Sequence, residues 1–284
     1  MKKLITAALV TLAFAGTATA DQIYIDNGAN YGGNNGNTAA GDTTTGWKDS
    51  LTFKYNSTSI VTDVDFNGLD VGDTIISSGG LIAGAGLGQN LITSMINTED
   101  DNGPSDNGYG TPNWRLSFSF DDLMGTFNGS DFVYNSGTID MFLFDASVGY
   151  TGVNRGTKIH LFSMDIASHN AMSGNHIYAG DLGNFGTDVI NGVAAGDIFN
   201  IAYGNSSISF EDYAALTNNN VRFRLDQNTD GIDPNTFVQI GGTNTFRVNG
   251  SHDGSIEFEV PEPASIAILG LGLLGFAGAR RRKS

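Results

Sequence analysis

Trp114, Leu116, Phe118 and Phe120 alternate with Asn113, Arg115, Ser117 and Ser119. A spacing of two puts the first set on one face of an extended strand and the second set on the other. A helix would scatter both sets around its circumference. The same period runs through residues 51–55, more loosely through 60–66, and again through 137–144, 157–165, 197–203 and 221–226. Between these runs lie clusters of Gly, Asn, Asp, Ser and Thr, the residues that form turns. The chain has 39 Gly among 284 residues and only 15% charged residues, so strong helix formers are scarce. Many short strands separated by turns predict an all-β fold, an antiparallel β-sandwich of jelly-roll type.

One or two short helices are expected in it. Ser209 with Asp212 three residues on has the form of a capping box with a shortened acid, and Asn218 suits a left-handed end. Residues 245–248 and 256–260 read as the arms of a hairpin, with Asn249-Gly250-Ser251-His252-Asp253-Gly254 as its turn.

Both ends of the chain are processing segments. Lys2 and Lys3, an apolar run and the Ala18-Thr19-Ala20 site form a secretory signal peptide over residues 1–20, with export through the Sec pathway as the expectation. Residues 21–46, rich in Gly, Asn and Thr, read as a flexible arm, and 47–259 as the β-sandwich domain. Residues 260–284 form the tail. Val260-Pro261-Glu262-Pro263 is held extended by its two prolines. Sixteen uncharged residues follow, 264–279, just short of the roughly 20 that cross a bilayer core. Arg280, Arg281, Arg282 and Lys283 then hold that end on the cytoplasmic side.

This tail resembles the PEP-CTERM sorting signal of Gram-negative bacteria in all three of its parts and in their order. The resemblance implies recognition by an exosortase, a membrane-embedded cysteine transpeptidase-like enzyme. That enzyme would cut near Pro261-Glu262-Pro263 after a transient stay in the inner membrane, leaving the protein at the cell surface or in the extracellular matrix. It also implies a host that makes exopolysaccharide, biofilm or floc. Three strand patterns, at 51–55, 137–145 and 221–228, are similar to the flocculation-associated subgroup of that family, which implies a role in holding cells and polysaccharide together.

Between the two processed ends, 8 Lys and Arg stand against 29 Asp and Glu, a net charge of −21. Such a surface repels nucleic acid and anionic membranes and attracts cations. There is no cysteine, so no disulfide secures the exported fold. Ca²⁺ is the one cofactor the sequence suggests. Asp63, Asp65 and Asn67, and likewise Asp226, Asn228 and Asp230, place oxygen donors at alternate positions before a glycine, as the first half of a calcium loop does, and Asp70 and Asp233 follow two residues beyond that glycine. Position twelve holds Thr74 in one and Phe237 in the other, so neither is an EF-hand. The competing reading is an ordinary turn between strands.

His160, His169, His176 and His252 have no zinc-ligand spacing and read as turn or surface residues. No Gly-x-Ser-x-Gly motif occurs. Trp47 and Tyr109, set in Gly-rich loops, are the candidates for stacking on sugar rings, although packing is the commoner use of such residues. The expectation is a non-enzymatic matrix protein with a structural or adhesive role. The alternative is a secreted carbohydrate-active enzyme or carbohydrate-binding module with the same tail.

Overall fold

The computed structural model describes residues 22–26, 28, 44, 47–80, 95–98, 114–145, 158–172, 175–229 and 236–260. In chain order the strands are β1 (Ile23–Ile25), β2 (Leu51–Thr62), β3 (Thr74–Gly80), β4 (Met95–Thr98), β5 (Trp114–Phe127), β6 (Phe132–Ser136), β7 (Thr138–Asp145) and β8 (Lys158–Met172). They continue with β9 (Asn175–Gly183), β10 (Val189–Ile190), β11 (Val193–Ala194), β12 (Phe199–Tyr203), β13 (Ser206–Ser209), β14 (Arg222–Thr229), β15 (Val238–Gln239) and β16 (Thr245–Glu259). The one α-helix among the described residues, α1 (Phe210–Thr217), starts where Ser209 accepts a hydrogen bond from the Asp212 amide. It stops at Asn218, whose φ is 53°.

Eight strands form one continuous wall. β2, β3, β5, β7, β8, β9, β14 and β16 each pair antiparallel with the next in that order. β16 then pairs along twelve residues with β2, from Thr245↔Thr62 to Ile256↔Leu51. The sheet therefore closes on itself, and its neighbours follow chain order, as in an up-and-down barrel. The antiparallel all-β class holds. Its finer form differs from a jelly roll, because each stave hydrogen-bonds to the stave before and after it in sequence.

Eight staves leave an interior just wide enough for side chains to fill. One stretch of that interior is apolar, with Leu51, Phe53, Leu116, Phe118, Met141, Leu143, Phe223, Ile256 and Phe258 buried. At the end where β14 begins and β16 finishes, β1, β12 and β13 form a small sheet of their own. That sheet and α1 bring Phe199 and Phe210 onto Phe162 and Phe258, with ring centroids 5.1–6.1 Å apart.

Two expectations change here. The start of the supposed flexible arm is β1, whose Ile23 and Ile25 are buried in the core. The supposed hairpin turn 249–254 lies inside β16, paired with β2 throughout. Gly254 is there because a Cβ would stand 1.9 Å from the Asp226 carbonyl oxygen and 2.8 Å from the Phe53 ring. Its glycine provides room inside a wall, and composition alone does not distinguish that from a turn.

Candidate functional site

Away from the apolar stretch the barrel interior turns polar. Along β2, Tyr55, Ser57 and Ser59 share the inward parity of Leu51, Phe53 and Val61. Gln227 follows Phe223 and Leu225 on β14 in the same way, and His252 precedes Ile256 and Phe258 on β16. Two hydrogen-bonded chains result.

In the first, the Tyr55 hydroxyl donates to Gln227 Oε1. That leaves Gln227 Nε2 facing His252 Nδ1 at 3.0 Å as the donor. His252 then carries its proton on Nε2, 2.6 Å from Ser57 Oγ. The hydroxyl oxygen receives that proton's hydrogen bond, so in this tautomer the histidine cannot act as the base that would activate Ser57.

The second chain sits where β6 lies beside β8. No backbone ladder joins these two strands among the described residues. The Tyr134 amide instead donates to His169 Nδ1 at 2.9 Å. A neutral His169 therefore carries its proton on Nε2 and passes it toward His176 Nδ1, 3.0 Å away. His176 Nε2 in turn meets Asp131 Oδ1 at 2.9 Å. The tautomers thus run in one direction, from a backbone amide to a carboxylate. The His169 ring stacks on Tyr178, with centroids 4.4 Å apart, and on His176 at 5.1 Å.

Burial governs the ionisation of these groups. It lowers His169 to about 4, with the neighbouring His176 adding to the effect. His252 is lowered to about 4 by burial and by His176. His176 is also lowered by burial, despite Asp131 pulling the other way. Burial pushes Tyr134 up to about 12 and raises Tyr55 and Tyr178 well above the ordinary phenol value. The three histidines and three tyrosines of the network are therefore neutral around pH 7. The surface or turn reading of the histidines fails for three of them: His176 is 3% exposed, and His169 and His252 are half-buried inside the wall. His160 is also half-buried, near Asp140 at 3.4 Å and Ser163 at 3.2 Å.

The first expected calcium loop joins β2 to β3. Asp63, Asp65 and Asp73 bring one carboxylate oxygen each to within 4.8 Å of one another. Asp73 replaces the expected Asp70, which is exposed and whose amide donates to Asp73 Oδ2. Asn67 uses its amide to hold Asp65 Oδ2 at 2.8 Å. Burial pushes Asp63 up, but the amides of Gly68, Phe66 and Asn67 outweigh it, and its pKa is held below the usual carboxylate value. Asp65 is raised by desolvation and by Asp70. The loop is thus closed by backbone amides on the Asp63 and Asp73 carboxylates.

The second expected loop is not a loop at its start. Asp226 and Asn228 lie on β14 and share its outward face, while Asp230 and Asp233 fall outside the described residues. Trp47 is 40% exposed and meets the Tyr24 ring edge-on at 4.9 Å. Tyr109 falls outside the described residues, as do Pro261, Glu262, Pro263 and Arg280 to Arg282. Val260, the first residue of the tail, packs against the core directly after β16.

The stretch that begins at the end of β16 matches one family model, over residues 259–283. The chain carries a PEP-CTERM sorting motif. This PEP-CTERM motif indicates exosortase-dependent export sorting. No curated protein and no solved structure matches the chain.

Sequence reasoning missed the interior network, although strand parity carried the signal. Tyr55, Ser57, Gln227 and His252 are polar residues at positions whose strand neighbours of equal parity are core residues.

Proposed function

We propose that the barrel is a cell-surface or matrix component of a Gram-negative bacterium, delivered through the Sec pathway and freed by an exosortase. In this reading it has a structural or adhesive role in an exopolysaccharide, biofilm or floc, and is not an enzyme. The observation that carries the proposal is the position of the PEP-CTERM motif. It starts at Glu259, the last residue of the closing strand, so a cut near Pro261 removes the tail and keeps every stave. The exposed Trp47 and the acidic surface are the contacts offered to polymer.

Calcium at Asp63, Asp65 and Asp73 belongs to the same reading, as a bridge between this acidic surface and anionic polymer. Added Ca²⁺ should then raise the thermal midpoint of the wild type and not that of Asp65→Asn. An equal rise in both would remove the loop from the account.

The test of the main reading is intact mass from native cells with and without the exosortase. The expected result is a wild-type protein lacking residues 1–20 and the segment after about Val260, with the tail retained in the deletion strain. A wild-type protein that keeps Arg280 to Lys283 would overturn the sorting route.

A further inference from the structure

On the outer face of the wall, β2, β16, β14 and β9 present a depression of about 510 Å³. Its polar lining comes in two rows set by strand register. Thr52, Ser255 and Asp226 stand side by side on β2, β16 and β14. Asp253, Asn228 and Asn175 stand side by side on β16, β14 and β9. Strand spacing makes each row about 10 Å long, and two residues along a strand set the rows about 7 Å apart. A second depression, about 330 Å³, lies further along β14 and is lined by Ser168, Ala179, Asp181, Arg222, Arg224 and Glu259. Between Arg222 and Asn228 this face of β14 runs for about 20 Å. The two hollows therefore line one polar track, long enough for several units of a linear polymer.

The track has polar groups to spare. Asn175 Oδ1 is buried and has no hydrogen-bond partner among the described residues. Asn228 and Asp253 are exposed, and their side chains make no hydrogen bond among the described residues. Asp226 is held by Arg224 at 3.4 Å through one oxygen, and Arg224 is itself tied to Glu257 at 3.3 Å.

Other occupants fit poorly. β14 and β16 are paired on both edges, so no backbone is open for strand addition by a peptide. In the first hollow Asp226 and Asp253 disfavour phosphates and uronates, and in the second Arg222 and Arg224 are already paired with Asp181, Asp226 and Glu257. Among the described residues only Asp63, Asp65 and Asp73 gather three acid oxygens as a cation needs, and they lie elsewhere.

Resting on the matrix reading above, we infer that the β14 track binds a hydroxyl-rich glycan without acid groups. Vicinal hydroxyls both donate and accept, and so do the amide and hydroxyl groups here, while Asp226 and Asp253 accept.

The test uses the full chain in a zwitterionic detergent, titrated with maltohexaose, cellohexaose, N-acetylchitohexaose and an alginate hexamer. At least one neutral hexamer should bind, its trimer more weakly, and alginate least. Asn228→Ala/Asp253→Ala, whose side chains point outward, should weaken binding at least tenfold with an unchanged thermal midpoint, and Asp181→Ala should weaken the hexamer more than the trimer. The inference falls if no neutral hexamer binds, if the double variant binds as well as wild type, if alginate binds best, or if EDTA abolishes binding. In cells, a double variant that is still processed and still retained in the matrix would sink this site alone. A wild-type protein left unprocessed would sink the sorting reading instead.

Discussion

At the scale of single residues, the interior histidines set the acid limit of the fold. His252 titrates near 6.5 when unfolded and at about 4 in the barrel. The unfolded chain therefore binds the proton first as pH falls, and stability drops between pH 6.5 and 4. Above pH 6.5 the stabilisation from this group is complete. The difference amounts to about 3 kcal/mol for His252, and less for His169, which water reaches more easily. The thermal midpoint should be level just above pH 6.5 and fall steadily toward pH 4, with Asp131, His176, Tyr178 and Asp253 as the surrounding groups. His252→Asn should flatten part of that fall, and an unchanged acid limb in this variant would remove His252 as the cause. Lys48 makes the opposite kind of prediction. It is 1% exposed, it pairs with Ile23 through its backbone, and its amine has no partner among the described residues. Such an amine costs more than a methylene chain of similar volume. Lys48→Met should raise stability by about 1–3 kcal/mol in denaturant unfolding, and a loss would reveal a contact that holds the amine. The sequence made the helix cap at Ser209 legible, because capping is local. It did not make the Gln227–His252–Ser57 chain legible, because those residues meet only when β14, β16 and β2 lie side by side.

At the scale of elements, β16 shows where local reading stops. Its middle, Asn249 to Gly254, has the composition of a turn. Straight pairing with β2 overrides this, since each glycine there admits a ring from elsewhere in the wall: His252 over Gly250 and Phe53 over Gly254. Gly254→Ala should then cost about 3 kcal/mol or more, because the clash is with backbone and cannot be relieved by turning a side chain. In a hairpin turn the same change would be mild, so denaturant unfolding of this one variant separates the two accounts. The period-two runs at 51–55, 114–120, 137–144 and 221–226 all became strands, since alternation reports directly which face is buried. Whether those strands make a sandwich or close a ring depends on the register between β16 and β2, and no local pattern encodes it. The short β10–β11 pair has its own local signal. Asn191 and Gly192 both take positive φ, 50° and 88°, the two-residue turn that Asn-Gly prefers.

At the scale of the whole molecule, stability depends on closure. Residues 252–259 of β16 hold β14, and residues 245–256 hold β2. A chain that stops after residue 260 should unfold cooperatively. One that stops after residue 250 should lose its sharp transition, since β14 then keeps a bare edge and the aromatic cluster loses Phe258. A sharp transition in the shorter chain would show that the ring is not needed. Closure by β16 also sets an order of events. The last stave is the stretch of chain next to the tail, so the ring stays open until the residues just before the sorting motif have arrived. In the sorting route proposed above, completion of the fold would then coincide with delivery of the motif to its processing enzyme. A chain stalled short of its end would be left with unpaired edges on β14 and β2, exposed to any strand nearby.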